Sequence, residues 1–344
     1  MTVRYGRAAV VACAVFAAVL PAPQRWMERW YSRTFYPRLQ PAVSAVSDVS
    51  PLALLDIGVV VLLAAFLWVA VRWYRRLGTT GMLRRLAVNL VVAGSILYLW
   101  FLVVWGLNYR RVPLEQQLSY DGARITRERA VEFARLSIAQ ANALKPVIAV
   151  SGDESLRAAL TEVRGWLGVA RAPRLGASKR SLLELYFRRA AIDGMTDPFF
   201  LEVILNPDVL PSERPFVLAH EWAHLAGYAD ESEANFVAWL ACVRASAAAR
   251  YSGWLSAYQH VASGLPVADR RALAASLSSA VAADLAAERA RFARSSERVR
   301  VVAQGAYDTY LRANRISEGI ANYNAVVRLM LGTSFDGDWR PAPR

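Results

Sequence analysis

The sequence contains few lysines, histidines and cysteines, and these shortages restrict what the chain can do. Only Lys145 and Lys179 are lysines, so the 41 basic residues are nearly all arginine. The formal charge is +13, but no helix, zinc knuckle or aromatic–basic motif of the usual nucleic-acid binders occurs, so we expect no nucleic-acid partner. Two cysteines exclude a disulfide framework, and Cys13 lies in an apolar run, so we expect it not to pair with Cys242.

Apolar residues, by contrast, are abundant at 55%, and 11 of the residues are tryptophan, which suits a membrane-attached protein. Residues 86–107 carry no charge and residues 52–71 carry only Asp56. Each stretch is long enough to cross about 30 Å of hydrocarbon. A third apolar stretch, residues 8–22, fits a cleaved signal peptide or an uncleaved first span, and the lack of a small-x-small cleavage site favours the span. The sequence therefore predicts three N-terminal transmembrane helices.

The arginines indicate how these spans are oriented. Five of them lie in the short stretch between the second and third spans: Arg72, Arg75, Arg76, Arg84 and Arg85. By the positive-inside rule this stretch is cytoplasmic, so the chain after the third span is extracytoplasmic. We therefore predict a multi-pass protein of the inner (cytoplasmic) membrane, with a membrane region at 1–109 and an extracytoplasmic domain at 110–344. The connector at 24–51, rich in aromatic residues and arginine, fits either an interfacial helix or a loop packed on the domain.

Two of the three histidines lie in the motif His220-Glu221-x-x-His224. On a helix, positions i and i+4 share one face, so the two imidazoles can bind one Zn²⁺ ion. Glu221 is then placed to act as general base on a zinc-activated water. Ser212 is expected as the N-cap of this helix and Gly227 as its left-handed stop. Two satisfied histidines on a buried helix are the alternative, but they leave a glutamate in an apolar run unexplained.

Zinc requires a third ligand, and three carboxylates follow the motif. Asp230 completes a pattern similar to that of metzincins, but it also fits the N-cap of a second helix with Glu233 at the third helical position. Glu231 has no such structural role, and Glu231-x-x-x-Asn235 resembles the Glu-x-x-x-Asp of gluzincin metallopeptidases. That resemblance implies that Glu231 binds zinc and that Asn235 supports a ligand histidine. We favour Glu231, with Asp230 and Glu233 as alternatives.

The segment from His220 to Phe236, together with Asn108-Tyr109, resembles a bacterial membrane family of unknown function over most of the chain. Members of that family have three N-terminal spans, an Asn-Tyr segment and a His-Glu-x-x-His motif followed by Glu-x-Glu-Ala-Asn-Phe. The resemblance implies a zinc metallopeptidase-like domain and does not supply a substrate.

Helical periodicity predicts that the domain is mainly helical, with a small sheet before the histidine helix. Strands are expected at 173–179, from Arg188 to a turn at Asp193-Gly194, and at 199–206. Helices are expected at 126–145, 153–168, 236–249, 253–263, 268–294, 297–313 and 316–331, before a loosely ordered tail. This mainly α (α+β) arrangement is typical of zincins, in which an edge strand can pair with a peptide substrate.

Later helices of zincins often supply a side chain that stabilises the oxyanion. The candidates here are Tyr307, Tyr310, Arg315 and Tyr323. The remaining histidine, His260, is expected to have a surface or core role rather than a metal role. The sequence thus predicts a membrane-anchored zinc metallopeptidase with a peptide or protein substrate. The alternative is a membrane-tethered, zinc-containing binding or assembly module without hydrolytic activity.

Overall fold

The computed structural model describes residues 2–145, 152–314 and 325–344, which form a mainly helical protein with one small sheet. The first helices are α1 (Thr2–Val19), α2 (Gln24–Trp26), α3 (Tyr36–Ser47), α4 (Leu54–Val104), α5 (Leu114–Gln117), α6 (Arg127–Leu144), α7 (Glu154–Trp166) and α8 (Glu184–Ala190). Two strands follow, β1 (Gly194–Asp197) and β2 (Glu202–Leu205). The later helices are α9 (Arg214–Leu225), α10 (Glu231–Cys242), α11 (Ala247–Ser263), α12 (Val267–Ala274), α13 (Ser279–Ala293), α14 (Glu297–Ala313) and α15 (Val326–Gly332). The predicted mainly helical domain, with a small sheet before the histidine helix, is confirmed.

Helix α4 folds back on itself. As a straight helix, its 51 residues would span about 75 Å. However, the Leu54 N–H donates to the Glu202 carboxylate (3.0 Å), and the Trp100 indole donates to the Phe199 carbonyl (3.0 Å). Both ends of α4 therefore meet the turn between β1 and β2. The helical path breaks at Gly78, where φ is 65° and ψ is −177°. We call the region where both ends of α4 meet residues 198–202 the hairpin base.

The hairpin is apolar and exposed along most of its length. Among the described helices, α4 is the one that is long and apolar enough by itself to cross a membrane. The segments Tyr5–Val19 and Gln24–Ser47 pass the same test only together, with a bend of 110° between them. The predicted spans at 52–71 and 86–107 thus coincide with the two halves of α4, and the arginine-rich stretch between them is helical apart from Gly78. One long apolar helix of this kind is compatible with membrane association.

Charged side chains hold the start of α4 against the domain. The Glu202 carboxylate accepts hydrogen bonds from the first two amides of the helix (3.0 and 2.9 Å) and pairs with the buried Lys179 (2.8 Å). Asp56, in the first turn of α4, accepts from the Ser181 hydroxyl (3.0 Å) and the Leu182 N–H (2.7 Å). The carboxylate that caps the helix therefore comes from a distant strand.

The connector before α4 packs into the domain core. Tyr36 is fully buried, the Gln40 amide donates to the Arg174 carbonyl (2.8 Å), and the Ser44 hydroxyl donates to the Leu201 carbonyl (2.8 Å). Aromatic side chains on its other face, Trp26 and Trp30, are half exposed. Of the two possibilities left open by the sequence, packing on the domain describes this segment, which is helical rather than a loop.

The sheet begins later in the chain, and so nearer to the start of α9, than the sequence predicts. The antiparallel register runs from Gly194↔Leu205 to Asp197↔Glu202. The connecting turn is 198–201, where the Asp197 carboxylate accepts from the next two amides (3.1 and 2.8 Å). The predicted turn at Asp193-Gly194 is instead the start of β1.

Two other predicted strands are wrong. The chain from Glu184 to Ala190 is helix α8, and Ala191 ends it in the left-handed region at φ 54°. Residues 173–179 form no strand, although Lys179 makes an isolated parallel bridge to Ile204. Phe187 packs against Ile204 from one face of this helix. The polar residues around Arg188 hide the helical repeat of apolar residues in the sequence.

The C-terminal part also differs from expectation at two places. The helix predicted at 268–294 is two helices, and Ser278 caps the second by accepting from the Val281 N–H (3.3 Å). The tail is held in place rather than loose: the Ser119 N–H donates to the Ala342 carbonyl (2.8 Å), and the Trp339 ring lies 5.4 Å from the Trp239 ring. The helix predicted at 316–331 is described only from residue 325 onward.

Candidate metal centre

The structure brings His220, His224 and Glu231 together. The Nε2 atoms of the two histidines are 3.1 Å apart. One carboxylate oxygen of Glu231 lies 3.2 Å from His220 Nε2, and the other lies 3.5 Å from His224 Nε2. The two histidines lie on α9, and Glu231 is the first residue of α10. Of the described residues, these three form the one group with metal-binding spacing.

The turn between α9 and α10 places Glu231 opposite the histidines. Gly227 has a φ of 98°, and the N–H groups of Gly227 and Tyr228 donate back to the carbonyls of His224 (2.8 Å) and Ala223 (3.1 Å). This is a Schellman motif, so the predicted left-handed stop at Gly227 is correct. The Tyr228 carbonyl then lies 2.7 Å from His224 Nδ1. That contact requires a proton on Nδ1, which leaves the Nε2 lone pair directed at the cluster.

The C-terminal end of α9 is held by side chains from four other segments. The pairs are Trp105 to the His224 carbonyl (3.3 Å), Tyr36 to Leu225 (2.9 Å), Arg164 to Ala226 (3.1 Å) and Arg111 to Gly227 (3.1 Å). Two of the donors are guanidinium groups, which also complement the negative end of the helix dipole. The buried Arg111 is in turn paired with Glu28 (3.0 Å). Each of the four carbonyl groups from His224 to Gly227 therefore accepts a hydrogen bond from a side chain of the core.

The N-terminal end of α9 is arranged differently from the prediction. The N-cap position is Glu213, not Ser212, and no side chain of the cap residue bonds to the helix. Instead, the Phe216 N–H donates to the Ser252 hydroxyl of α11 (3.1 Å). Arg291 of α13 pairs with the Glu213 carboxylate (2.9 Å). Distant side chains thus replace the local cap.

Glu221 is buried beside the cluster and faces strand β1. The Thr196 hydroxyl lies 2.8 Å from Glu221 Oε2 and 2.9 Å from its carbonyl oxygen. A Cβ at Gly194 would lie 2.7 Å from Glu221 Oε1, so only glycine leaves the carboxylate room. Burial raises the pKa of Glu221, although the two imidazoles oppose the shift. Thr196 and Gly194 escaped the sequence analysis because their contacts with Glu221 depend on strand packing.

The charges of the cluster depend on one another. Burial alone would lower the pKa of His224, but the Glu231 carboxylate outweighs it and raises that pKa to about 9. Burial likewise would raise the pKa of Glu231, but His224 and His220 hold it well below its usual range. The buried carboxylate is therefore ionised, and the neighbouring imidazoles supply its positive partner.

The two alternative zinc ligands, Asp230 and Glu233, make other contacts. Asp230 is the N-cap of α10 and accepts from the N–H groups of Ser232 (2.9 Å) and Glu233 (3.1 Å). The Glu233 carboxylate accepts from the Leu114 N–H (2.7 Å). Burial raises the pKa of Glu233 to about 8, against the field of the nearby arginine at 111. Asn235 is buried, and its Nδ2 has no hydrogen-bond partner among the described residues.

Of the late candidates, Tyr307 and Tyr310 lie close to the cluster. The Tyr307 hydroxyl donates to Glu231 Oε1, and the Tyr307 and Tyr310 rings stack at 5.9 Å. Tyr109, from the Asn-Tyr segment, meets Tyr310 at 6.2 Å between ring centroids. Arg315 and Tyr323 lie outside the described residues. His260 lies apart from the cluster, 6.2 Å from the Phe216 ring.

The donor set fits zinc. Ligands at the usual Zn–N and Zn–O distances of about 2.0–2.1 Å in a tetrahedron are about 3.3 Å from one another. The three contacts within the cluster measure 3.1, 3.2 and 3.5 Å. Glu231 Oε2 is buried, and apart from its 3.2 Å contact with His220 Nε2 it makes no hydrogen bond to any described residue. A divalent cation between the three side chains would satisfy this oxygen and the ionised carboxylate together.

Fold and site together define a mainly helical protein with an apolar helical hairpin and a His–His–Glu cluster spaced for a metal ion. The chain belongs to the family described as "Protein of unknown function (DUF3810)", whose model matches residues 31–331. This confirms the resemblance to a family of unknown function over most of the chain. Comparisons with curated proteins and with solved structures found no match.

Proposed function

We propose that this protein is a membrane-anchored zinc metallopeptidase whose domain lies on the extracytoplasmic side of the membrane. The observation that carries the proposal is the mutual spacing of His220, His224 and Glu231, with Glu221 buried beside them. A site that serves structure alone has no use for an additional buried carboxylate next to its ligands.

His220, His224 and Glu231 would hold the zinc ion. When bound, zinc lowers the pKa of a coordinated water and polarises a carbonyl group. Glu221 accepts the proton of the attacking water and returns it to the leaving amine. Its raised pKa suits a base that works near neutral pH. Thr196 orients the carboxylate of Glu221 through the 2.8 Å contact.

Tyr307 is the side chain best placed to stabilise the oxyanion. Its hydroxyl already reaches the Glu231 carboxylate. A phenol at this position can donate to a substrate oxygen when the carboxylate is engaged elsewhere. Tyr310 stacks on Tyr307 and orients its ring.

The hairpin supports the proposed membrane arrangement. Its two halves supply two spans, and α1, which packs against α4, supplies a third. The exposed arginines on either side of Gly78 lie at the end of the hairpin far from the domain. Since arginines near span ends remain cytoplasmic, the domain lies on the other side.

The test uses full-length protein in detergent or nanodiscs, loaded with zinc and incubated with peptide libraries. The parent is expected to bind about one zinc ion per chain and to cleave peptides. Glu221→Gln is expected to keep the metal and to lose roughly 10²–10⁴-fold in rate, because it removes the general base. Equal turnover by Glu221→Gln and the parent would refute the mechanism.

Two further variants identify the third ligand. Glu231→Gln is expected to weaken zinc binding strongly, whereas Asp230→Asn is expected to leave zinc binding near the parent value, because Asp230 caps α10. The reverse order would make Asp230 the ligand. Zinc binding without Glu221-dependent cleavage would favour the alternative of a tethered binding or assembly module.

A further inference from the structure

We propose that the substrate is a polypeptide anchored in the same membrane, and that it is cut in the segment next to its anchor. The proposal rests on the peptidase function proposed above and specifies its substrate. It is carried by the positions of the metal cluster and of strand β1 relative to the end of the apolar hairpin.

The metal cluster lies directly beside the C-terminal end of the hairpin. Trp105, the residue after the last residue of α4, donates to the carbonyl of His224, and their rings are 6.1 Å apart. Phe101, in the last turn of α4, lies 6.3 Å from Tyr310. Tyr310 stacks on Tyr307, whose hydroxyl contacts the cluster. Only one layer of aromatic side chains separates the apolar helix from the metal ligands, so the cluster lies at the membrane surface.

Strand β1 has one edge available for an extended peptide. Its other edge pairs with β2, and among the described residues no strand or bridge pairs with this edge. The Asp193 carbonyl accepts from the Asn206 N–H (2.9 Å). Because antiparallel pairing alternates, the backbone groups of Gly194 and Thr196 are directed away from β2. An extended peptide can add to such an edge through main-chain hydrogen bonds.

The same strand leads from the general base to the membrane. Gly194 and Thr196 adjoin the Glu221 carboxylate, and the strand then enters the turn at Phe199 and Phe200. Phe199 contacts Phe101 at 6.2 Å between ring centroids, so this turn belongs to the hairpin base. Three residues of fully extended chain span about 10 Å, so Thr196 lies no more than about 10 Å from Phe199. A peptide along β1 is therefore cut about three to six residues from the membrane.

An apolar rim adjoins the hairpin base on the domain side. Leu182 is 78% exposed and Leu185 is 60% exposed. The Leu182 N–H donates to Asp56 in the first turn of α4 (2.7 Å). This bond holds the rim next to the hairpin base. Exposed leucines at this level suit insertion into the lipid interface, which would hold the β1 edge against the membrane.

The experiment uses a library of synthetic polypeptides with one apolar transmembrane helix and a randomised extracytoplasmic segment of about twenty residues, long enough to extend far beyond β1. The library is reconstituted with full-length, zinc-loaded protein in nanodiscs, and the same segments without the helix are tested in solution. Mass spectrometry locates the cuts. We expect cuts within about three to six residues of the helix, and rates roughly tenfold or more above those of the free segments.

The outcomes separate this inference from the function on which it rests. Glu221-dependent cleavage that is equally fast for free and anchored segments, or spread evenly along the anchored ones, overturns the inference and leaves the peptidase function intact. Absence of Glu221-dependent cleavage of both libraries overturns the function and the inference with it.

A binding measurement and a rim variant complete the test. In the Glu221→Gln protein, anchored peptides that carry a diazirine photo-crosslinker are expected to attach to residues 193–197, and soluble ones to do so much less. Leu182→Asp with Leu185→Asp is expected to slow cleavage of anchored peptides only. The matched control, Val267→Asp, changes another exposed apolar residue (52%) away from the hairpin and is expected to have no effect. Equal crosslinking of soluble and anchored peptides contradicts the proposal.

Discussion

At the scale of single residues, the space around Glu221 is the most restricted feature of the site. Thr196 bonds to its carboxylate on one side, and the backbone of Gly194 leaves room for it on the other. The helical spacing of His220 and His224 was predictable, because it is a local property of one helix. The contacts of Gly194 and Thr196 with Glu221 were not predictable, because residues this far apart in the chain share no periodic pattern.

Gly194→Ala tests this packing. The added methyl group would lie 2.7 Å from Glu221 Oε1 and 2.9 Å from the Leu205 side chain. We expect hydrolysis to fall by roughly tenfold or more, because the general base is displaced, while zinc binding is kept. The measurements are peptide turnover and zinc content.

The control for this variant is Gly165→Ala in α7, where a Cβ meets nothing within 4 Å. This substitution is expected to leave turnover unchanged and to stabilise the helix slightly. Full activity of Gly194→Ala would show that Glu221 does not need its present position.

His260 is expected to make folding stability depend on pH. Burial, with the field of His220 added, lowers its pKa from 6.5 to about 4. Between these pH values the unfolded chain binds a proton that the folded protein does not, so stability falls as the pH decreases through this window. The loss at pH 4 is at most about 3 kcal/mol.

The measurement is the melting temperature of the parent and of His260→Gln between pH 8 and pH 4. The variant cannot take up this proton, so the parent is expected to lose stability more steeply below pH 6.5. Parallel curves for the two proteins would show that His260 titrates normally in the folded state.

At the scale of secondary-structure elements, the long helices α6 and α7 were predicted well, whereas short elements were predicted poorly. The periodicity over 126–145 and 153–168 corresponds to α6 and α7, because long amphipathic helices repeat their pattern over several turns. The strands are four residues each, too short for an alternating pattern to be read. The helix caps also differ from local expectation. Ser252 and Glu202, from distant parts of the chain, accept hydrogen bonds from backbone N–H groups at the starts of α9 and α4.

The hairpin depends on one residue. Gly78 has φ 65° and ψ −177°, a backbone conformation open to glycine and strained for other residues. Gly78→Ala is expected to destabilise the protein by about 1–3 kcal/mol, measured as a lower melting temperature in detergent. No side-chain clash contributes, since a Cβ there meets nothing within 4 Å.

Gly94→Ala provides the comparison within the same helix. A Cβ at Gly94 also meets nothing within 4 Å, and its backbone is helical. Alanine there is expected to be neutral or stabilising. If both variants melt alike, the bend does not require glycine at position 78.

At the scale of the whole molecule, the proposed membrane arrangement gives a direct prediction about which side of the membrane the domain occupies. Thr80 lies near the tip of the hairpin and Ala293 lies at the end of α13, and both are exposed. With Cys13 replaced by alanine, Ala293→Cys is expected to react with a membrane-impermeant maleimide in intact cells, and Thr80→Cys only after lysis. Cys242 is fully buried and does not interfere. The opposite labelling pattern would place the domain in the cytoplasm.

The core extends across the boundary predicted near residue 110. Tyr36 and Trp105 hold the carbonyls of α9, although both precede that boundary. The segments before residue 110 and the His–His–Glu cluster therefore form one packed unit, and removal of residues 1–109 would expose the C-terminal end of α9.

By itself, the sequence determined the helical character, the apolar runs, the His220–His224 spacing and the left-handed stop at Gly227. All of these depend on residues close together in the chain, so local geometry is sufficient. Tertiary structure settled the choice between Glu231, which faces the histidines, and Asp230, which caps a helix, and it alone placed Thr196, Gly194 and Tyr307 around the site. The contacts of Thr196, Gly194 and Tyr307 join segments far apart in the chain, and packing of the whole core sets their distances.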